Sequence, residues 1–340
     1  MASIFRNLSV STTVRRMSTL PRVAILDDYQ KVAFKLADWT PLKDRVSIDV
    51  YSETLLDEDA LVERLEPYQI ICAMRERTKF NASLLDRLPN LKYIATTGMY
   101  NRGIDVAHAK KNGVFVSGTG GGGNSTLEHI WALILATARH IAVEDAGVKA
   151  KRQLWQATIP VGLSGKTLGL VGVGKLGSDT GKIAKAFGMN VIGWSPNLTP
   201  ERAEAAGVTY VETKEKLFQQ SDIISIHMVL SDRTRGLINA NDFAHTKPTA
   251  LFINTSRGPL VDEVALVDAL QKKKIAGAGL DVFDVEPLPL DHPLRGLDNV
   301  TLSPHLGYVS DDNYKVFWSQ TVDNIVGFLD GERKREIHDA

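Results

Sequence analysis

Short apolar runs alternate with longer amphipathic segments along most of this chain. In the first part of the chain, the runs that predict buried strands lie at residues 22–26, 46–51, 69–74 and 91–95. In the second part they lie at residues 167–171, 191–194, 222–228, 250–254, 276–282 and 300–303. Because strands that alternate with helices form parallel sheets covered on both faces, the pattern predicts an α/β fold with two doubly wound parallel-sheet domains.

A broad apolar stripe marks a predicted helix at residues 125–140. Its members are Leu127, Ile130, Trp131, Ile134, Leu135 and Ala138. A stripe this wide favours a core or a dimer interface over a ligand site. The other predicted helices lie at residues 57–65, 84–88, 261–273 and 314–329. The glycine run at 118–123 predicts a hinge after the first unit.

Residues 166–197 predict a strand, a glycine turn, a helix and a second strand, with three glycines spaced G-x-G-x-x-G. In a dinucleotide-binding turn the first glycine allows the tight turn, the second admits the pyrophosphate and the third lets helix and strand pack closely. The residues expected to hold the pyrophosphate are Gly172, Gly174, Lys175, Leu176 and Gly177. The alternative is a glycine-rich turn in another kind of α/β protein.

The composition narrows the class of protein. At 340 residues the chain is too long for one ordinary core, which favours two domains. The 40 basic residues balance the 40 acidic residues, so no bulk charge favours nucleic acid or an anionic membrane. The single cysteine, Cys72, excludes a disulfide framework and a cysteine-rich metal site, and no apolar run reaches the length of a membrane span. We therefore expect no metal, no nucleic-acid partner and no membrane partner.

The first twenty residues differ from the rest. They contain Arg6, Arg15 and Arg16 and many Ser and Thr, and no acidic residue precedes Asp27. This composition is typical of a mitochondrial transit peptide. A disordered tail is one alternative, and a second start at Met17 that gives a cytoplasmic form is another.

Several motifs occur together in one order: VGVGKLG, SDIISIHMVLSDRTRGLI, NTSRGPLVDEVAL, GAGLDVFDVEPLP and SPHLG. In these motifs the chain resembles the D-isomer-specific 2-hydroxyacid dehydrogenases, including glyoxylate, hydroxypyruvate and phosphoglycerate enzymes. The resemblance implies a Rossmann cofactor domain at residues 120–305, inserted in a flavodoxin-like substrate domain at 21–119 plus 306–340. It also implies a homodimer and an active site at the carboxyl ends of the strands.

Three residues match the catalytic set of that family: Arg257 in NTSRG, Glu286 in DVEP and His305 in SPHLG. Reduction of a 2-oxo acid needs a proton on the carbonyl oxygen, which an imidazole can supply near neutral pH. Glu286 would orient the ring and favour its protonated form. Arg257 would bind the substrate carboxylate and polarise the carbonyl. Each residue alone could instead be a surface or turn residue.

The resemblance also implies a substrate-binding turn in the first domain. Gly98 matches that turn, with Met99 and Tyr100 after it, and Tyr100 stands where many members carry a second glycine. This departure leaves the size of the pocket open. Arg75 matches a position near the substrate, although a solvated arginine at a strand end is the alternative.

The cofactor side carries a second departure. Asp281 matches the acid that accepts a hydrogen bond from the nicotinamide carboxamide, and Thr255 matches a position beside the nicotinamide ring. Where NAD enzymes of this type carry Asp, this chain has Ser195, with Asn197 nearby and Arg202 within possible reach. Without that carboxylate a 2′-phosphate is not repelled, so NADP(H) is expected over NAD(H).

The expected activity is reduction of a small 2-oxo acid, such as glyoxylate or hydroxypyruvate, to the D-2-hydroxy acid. A formate dehydrogenase is disfavoured because that enzyme carries Gln where this chain has Glu286. A non-catalytic, dinucleotide-sensing interaction protein on the same fold is the alternative of a different class.

Overall fold

The computed structural model describes residues 20–338. Backbone contacts divide the chain into two compact units. The first unit comprises the chain up to Gly120 and again from Val316, and the second runs from Gly121 to Lys315. Residues 1–19 of the predicted leader lie outside the described residues.

The division between the units falls within the last helix, whereas the sequence placed it after residue 305. Local hydrogen bonds account for this difference. Leu306 N and Gly307 N donate to the carboxylate of Asp281, and Gly122 N donates to Asn313 Oδ1. These bonds keep residues 306–315 attached to the second unit.

The first unit is built on a five-stranded parallel sheet. Its strands are β1 (Arg22–Ile25), β2 (Ser47–Val50), β3 (Ile70–Ala73), β4 (Tyr93–Thr96) and β5 (Phe115–Ser117). They lie in the order β2-β1-β3-β4-β5, and every neighbouring pair is parallel. This is the flavodoxin-like order, with its switch point between β1 and β3.

Short helices connect these strands. They are α1 (Ala33–Leu36), α2 (Glu58–Leu65), α3 (Ala82–Asp86) and α4 (Val106–Lys111). The side chains of Asp57, Asn81 and Asp105 accept a backbone N–H at the start of α2, α3 and α4, which satisfies a donor that the helix leaves unpaired. Every residue of β3 and β4 is buried, as expected for central strands covered on both faces.

The second unit is built on a seven-stranded parallel sheet. Its strands are β6 (Thr167–Val171), β7 (Asn190–Trp194), β8 (Thr209–Tyr210), β9 (Ile223–Ile226), β10 (Leu251–Asn254), β11 (Gly277–Leu280) and β12 (Val300–Leu302). The order β12-β11-β10-β9-β6-β7-β8 contains the Rossmann arrangement, and the chain reverses direction across the sheet between β6 and β9. The two sheets together confirm the predicted fold class.

Helices cover this second sheet. They are α5 (Ser125–Ala138), α6 (Ile141–Lys149), α7 (Lys175–Ala186), α8 (Pro200–Ala205), α9 (Lys214–Gln220), α10 (Ala240–His245) and α11 (Glu263–Gln271). The last helix is α12 (Asp311–Leu329), within which the chain passes back to the first unit.

The single helix predicted at 125–140 is shorter and is followed by a second helix that the pattern did not predict. His140 separates α5 from α6 and has a φ of 52°, a left-handed conformation that a right-handed helix does not contain. Ile130, Trp131 and Ile134 of α5 are buried in one apolar cluster with strands of the second sheet. Most of the predicted stripe is therefore core.

Within residues 20–338, no helix is both long and apolar enough to cross a bilayer. Over the same residues, His, Cys, Asp and Glu side chains form no group of three or more that could hold a metal ion. That the protein has no membrane or metal partner stays a prediction.

Candidate active site

The glycine turn after β6 has a different environment at each glycine. A Cβ atom at Gly172 would lie 2.5 Å from His227 O, and the φ of Gly172 is 100°. A Cβ atom at Gly177 would lie 2.2 Å from Gly172 O, so the helix approaches the turn closely only with glycine there. At Gly174, no described atom lies within 4 Å of the corresponding position. The turn is closed at its first and third glycines and open at the second.

The start of α7 offers backbone donors beside that opening. Gly174 is the N-cap and provides no side-chain acceptor, and the exposed residues Lys175 and Leu176 follow it. The first N–H groups of a helix have no intrahelical acceptor, and the helix dipole favours an anion there. These donors fit the phosphates of a dinucleotide.

The loop after β7 carries no carboxylate between Ser195 and Pro200. Leu198 N donates to Ser195 O at 3.1 Å, which closes a turn. Arg202 folds back from α8, and its Nη1 donates to Asn197 O at 2.9 Å. A guanidinium therefore lies over the loop that also carries the side chains of Ser195 and Asn197.

A histidine–carboxylate pair lies where β12 ends. His305 Nδ1 is 2.5 Å from Glu286 Oε2, and Glu286 Oε1 accepts the N–H of Phe283 at 2.9 Å. The side chains of His305 and Glu286 are 22% and 32% exposed, so the pair is partly buried. Because Nδ1 faces the carboxylate, Nε2 is the ring atom left to act on a ligand.

Arg257 follows β10 in a loop that packs against the loop carrying Glu286. A Cβ atom at Gly258 would lie 2.1 Å from the carbonyl carbon of Phe283, so only glycine allows this close approach. Asn254 Nδ2 donates to Arg257 O at 3.0 Å, and Ser256 Oγ donates to Ile226 O at 2.7 Å. Both contacts fix the backbone that presents Arg257. Thr255, in the same loop, is buried.

The carboxylate of Asp281 is fully buried and has four donors from its own chain. Ser303 Oγ donates at 2.6 Å, Leu306 N at 2.8 Å and Gly307 N at 3.0 Å, and His129 Nε2 lies 3.0 Å away. Burial raises the pKa of Asp281, but the bonds from His129 and Ser303 outweigh it and hold that pKa below its ordinary value. The sequence assigned this carboxylate to a cofactor amide, and that contact stays a prediction; in the structure the carboxylate is bonded to four groups of the protein.

His129 and Ser303 therefore belong to the candidate site, and the sequence did not indicate them. His129 projects from α5, far from Asp281 along the chain, and no local pattern connects the two. The available signal was a histidine at position 129 that directly precedes the apolar run from Ile130 to Leu135.

In the first unit, the predicted substrate turn wraps around Arg75. Arg75 Nη1 donates to Thr97 O at 3.2 Å and to Tyr100 O at 3.3 Å. A Cβ atom at Gly98 would lie 1.8 Å from Arg75 Nη1, and the φ of Gly98 is 83°, so this position requires glycine. Arg75 is thus built into the turn rather than fully solvated.

The backbone donors of the turn differ in availability. Gly98 N donates to Thr119 Oγ1 at 2.9 Å and is already used. Met99 N and Tyr100 N have no acceptor among residues 20–338, and the side chains of Met99 and Tyr100 are 49% and 46% exposed. These two N–H groups could bind a carboxylate.

The predicted residues fall into two sets. Gly172, Thr255, Arg257, Asp281, Glu286 and His305 lie at or after the carboxyl ends of strands in the second sheet, where open parallel sheets bind ligands. Arg75, Gly98, Met99 and Tyr100 follow β3 and β4 of the first sheet.

Comparison with known proteins gives a family match. Residues 131–307 match the family model described as D-isomer specific 2-hydroxyacid dehydrogenase, NAD binding domain. A hydroxypyruvate reductase of Thermotoga maritima is 39% identical over 292 residues, which cover 84% of this chain and 91% of that protein.

A D-3-phosphoglycerate dehydrogenase of Bacillus subtilis is 36% identical over 86% of this chain, but the match covers only 54% of the relative. The chain spans about half the length of three D-3-phosphoglycerate dehydrogenases to which it is similar. Among solved structures, a phosphoglycerate oxidoreductase from Vibrio cholerae superposes with a TM-score of 0.86 at 35% identity, over 92% of this chain and 100% of that chain.

Proposed function

The chain belongs to the D-isomer specific 2-hydroxyacid dehydrogenase family, and on this basis we propose that it reduces a small 2-oxo acid to the D-2-hydroxy acid. The electron donor is a nicotinamide dinucleotide. The observation that carries the proposal is the bond between His305 and Glu286. It holds a proton donor at the ligand-binding edge of the sheet that also carries the glycine turn.

The residues of the second unit fit such a dinucleotide. The open space at Gly174 and the uncapped start of α7 suit its phosphates. Thr255, at the end of β10, is proposed to lie beside the nicotinamide ring. When bound, the reduced dinucleotide supplies the hydride that the carbonyl carbon receives.

His305 is proposed to give its Nε2 proton to the carbonyl oxygen of the substrate. Glu286 fixes the ring through Nδ1 and stabilises the imidazolium before the transfer. Arg257 is proposed to bind the substrate carboxylate and to polarise the carbonyl. Met99 N and Tyr100 N are the backbone donors that the first unit offers to a carboxylate.

We further propose that NADPH is used in preference to NADH. The loop after β7 has no carboxylate to repel a 2′-phosphate, and Arg202 lies over that loop together with Ser195 and Asn197. An arginine beside hydroxyl and amide donors favours a phosphate through charge and hydrogen bonds. A clear preference for NADH in kcat/KM would contradict this part of the proposal.

The substrate is proposed to be glyoxylate or hydroxypyruvate, because the motifs resemble enzymes of that type and the chain matches a hydroxypyruvate reductase over 91% of that protein. The test is a panel of glyoxylate, hydroxypyruvate, pyruvate and 3-phosphohydroxypyruvate, assayed with NADPH and NADH and with chiral analysis of the product. D-products from a small 2-oxo acid support the proposal. No turnover of any 2-oxo acid with either cofactor would overturn it in favour of a dinucleotide-sensing protein.

A homodimer is proposed whose interface is formed by the segment at residues 141–159. Its large apolar side chains that stand exposed are Ile141, Val148, Leu154, Trp155 and Ile159. Glu144 accepts the N–H groups of Ala157 and Thr158, which holds this loop in place. An exposed apolar group of this size fits a second copy of the chain, and light scattering of the purified protein tests it.

The proposed location is the mitochondrion, or the cytoplasm for a form that begins at Met17. The support is the composition of the first twenty residues alone. Import of a tagged full-length chain, compared with a chain that begins at Met17, distinguishes the two.

A further inference from the structure

The turn that presents His305 is anchored on both sides by one buried carboxylate. Asp281 accepts a hydrogen bond from Ser303, which lies two residues before His305. It also accepts bonds from Leu306 and Gly307, which directly follow His305. A Cβ atom at Gly307 would lie 3.3 Å from Asp281 Oδ2, so a small residue lets the turn close onto the carboxylate. The position of the His305 backbone is therefore tied to the position of Asp281.

This anchoring matters because His305 is held in an unfavourable conformation. Its φ is 55°, in the left-handed region that residues with a side chain rarely adopt. Such a conformation persists only where the surroundings fix it. The bonds from the turn to Asp281 and the bond from His305 to Glu286 supply that constraint.

His129 contacts both Asp281 and Ser303 from a different element, helix α5. It projects from α5 with a side chain that is 18% exposed, and its Nε2 lies 3.0 Å from both Asp281 Oδ1 and Ser303 Oγ. The single hydroxyl proton of Ser303 is directed to Asp281 at 2.6 Å. Nε2 of His129 must therefore carry a proton and donate, because otherwise it would face two oxygens without a donor between them.

We propose that His129 is a positioning residue for proton transfer: by donating to Asp281 and Ser303, it fixes the turn at residues 303–307 and hence the direction of the His305 ring. Asp281 acts in the same way, through the bonds that it accepts from the turn. The expected effect on kcat rests on the proposed function. The expected effect on the position of the His305 ring does not, and it can be measured without turnover.

The variants are His129→Leu, which removes the donor at similar volume, and His129→Gln, whose side-chain amide can donate from nearly the same place. The matched control is His108→Leu, which removes another histidine–carboxylate pair, His108 Nε2 with Asp86 Oδ1 at 2.6 Å, in the first unit. Ser303→Ala serves as a second removal in case His129→Leu does not fold.

The first measurement is nuclear magnetic resonance of the histidine rings in protein labelled with 15N-histidine, with the His305 signals assigned from His305→Gln. We expect the His305 ring signals to shift in His129→Leu and Ser303→Ala, and to return close to the wild-type position in His129→Gln. His108→Leu should leave them unchanged. Unshifted His305 signals in His129→Leu or, if that variant does not fold, in Ser303→Ala, would overturn the proposal, whatever substrate the protein uses.

The second measurement is the kinetics of 2-oxo acid reduction. We expect kcat to fall by about 10- to 100-fold in His129→Leu, the loss that a small misplacement of a catalytic group causes. KM and the dinucleotide Kd should stay within about twofold, and His129→Gln should recover most of kcat. If His129→Leu weakened dinucleotide binding as much as it lowered kcat, and His129→Gln recovered neither, the role of His129 would be merely structural. Shifted His305 signals in a protein that reduces no 2-oxo acid would refute the proposed function and leave the positioning role standing.

Discussion

Nδ1 of His305 lies 2.5 Å from Oε2 of Glu286, and the other carboxylate oxygen of Glu286 accepts the N–H of Phe283. The ring is thereby oriented by a carboxylate whose own position is fixed by the backbone. In the proposed reaction His305 must be protonated to reduce a 2-oxo acid and neutral to oxidise a 2-hydroxy acid.

The pH dependence of the two directions should therefore be opposite. We expect kcat/KM for reduction to fall as pH rises and kcat/KM for oxidation to rise over the same interval, by up to about tenfold per pH unit. The measurement is a pair of pH–rate profiles in one set of buffers. Parallel profiles for the two directions would remove His305 from the proton transfer.

Gly174→Ala should weaken dinucleotide binding without unfolding the protein. The added methyl group meets no described atom within 4 Å, so the free energy of unfolding should change by less than about 1 kcal/mol. The same methyl group occupies the space proposed for the phosphates, so Kd should rise about tenfold or more, as titration calorimetry can measure. The control is Gly162→Ala, also in open space. An unchanged Kd in Gly174→Ala would place the dinucleotide elsewhere.

Ser195→Asp should reverse the proposed cofactor preference. A carboxylate at the end of β7 would repel a 2′-phosphate and accept a ribose hydroxyl, so kcat/KM with NADPH should fall by about tenfold or more while that with NADH is kept or rises. Ser195→Asn adds the same volume without the charge. An equal change of the NADPH-to-NADH ratio in both variants would exclude the electrostatic explanation.

His227 should make the protein sensitive to acid. Burial lowers the pKa of this histidine to about 4, and its Nε2 has no hydrogen-bond partner among the described residues. Between about pH 6.5 and about pH 4, the unfolded chain binds a proton that the folded chain does not, so the free energy of unfolding falls as pH falls. The contribution lost between about pH 7 and about pH 5 is on the order of 2 kcal/mol.

Urea unfolding at these two pH values checks this prediction in the wild type and in His227→Leu. The other titrating groups are common to both proteins, so the difference between their pH dependences isolates position 227. The same loss of stability in the two proteins would show that His227 does not contribute.

Much of the fold could be predicted because the relevant patterns are local. The strand at Thr167–Val171 coincides with the predicted one, and the glycine spacing indicated the turn that the structure shows. The catalytic candidates Arg257, Glu286 and His305 came from motifs, and the structure places all three after strands of one sheet. That they act in catalysis stays a prediction.

What the sequence could not predict depends on contacts between distant segments. The break at His140 arises from a left-handed residue that is not glycine, which propensity does not indicate. The donors of Asp281 come from α5 and from the turn after β12, and no periodicity relates positions 129, 281 and 303. The need for glycine at position 258 arises from the loop at Phe283, which packs against it and is distant along the chain.

The most direct test of proton transfer from His305 is His305→Gln, assayed for reduction of the best 2-oxo acid in the panel and for dinucleotide binding by fluorescence titration. We predict that kcat falls by about 10²- to 10⁴-fold, the usual contribution of a positioned acid, while the dinucleotide Kd stays within about twofold because the glycine turn is untouched. Turnover at the wild-type rate in His305→Gln would show that His305 is not the proton donor.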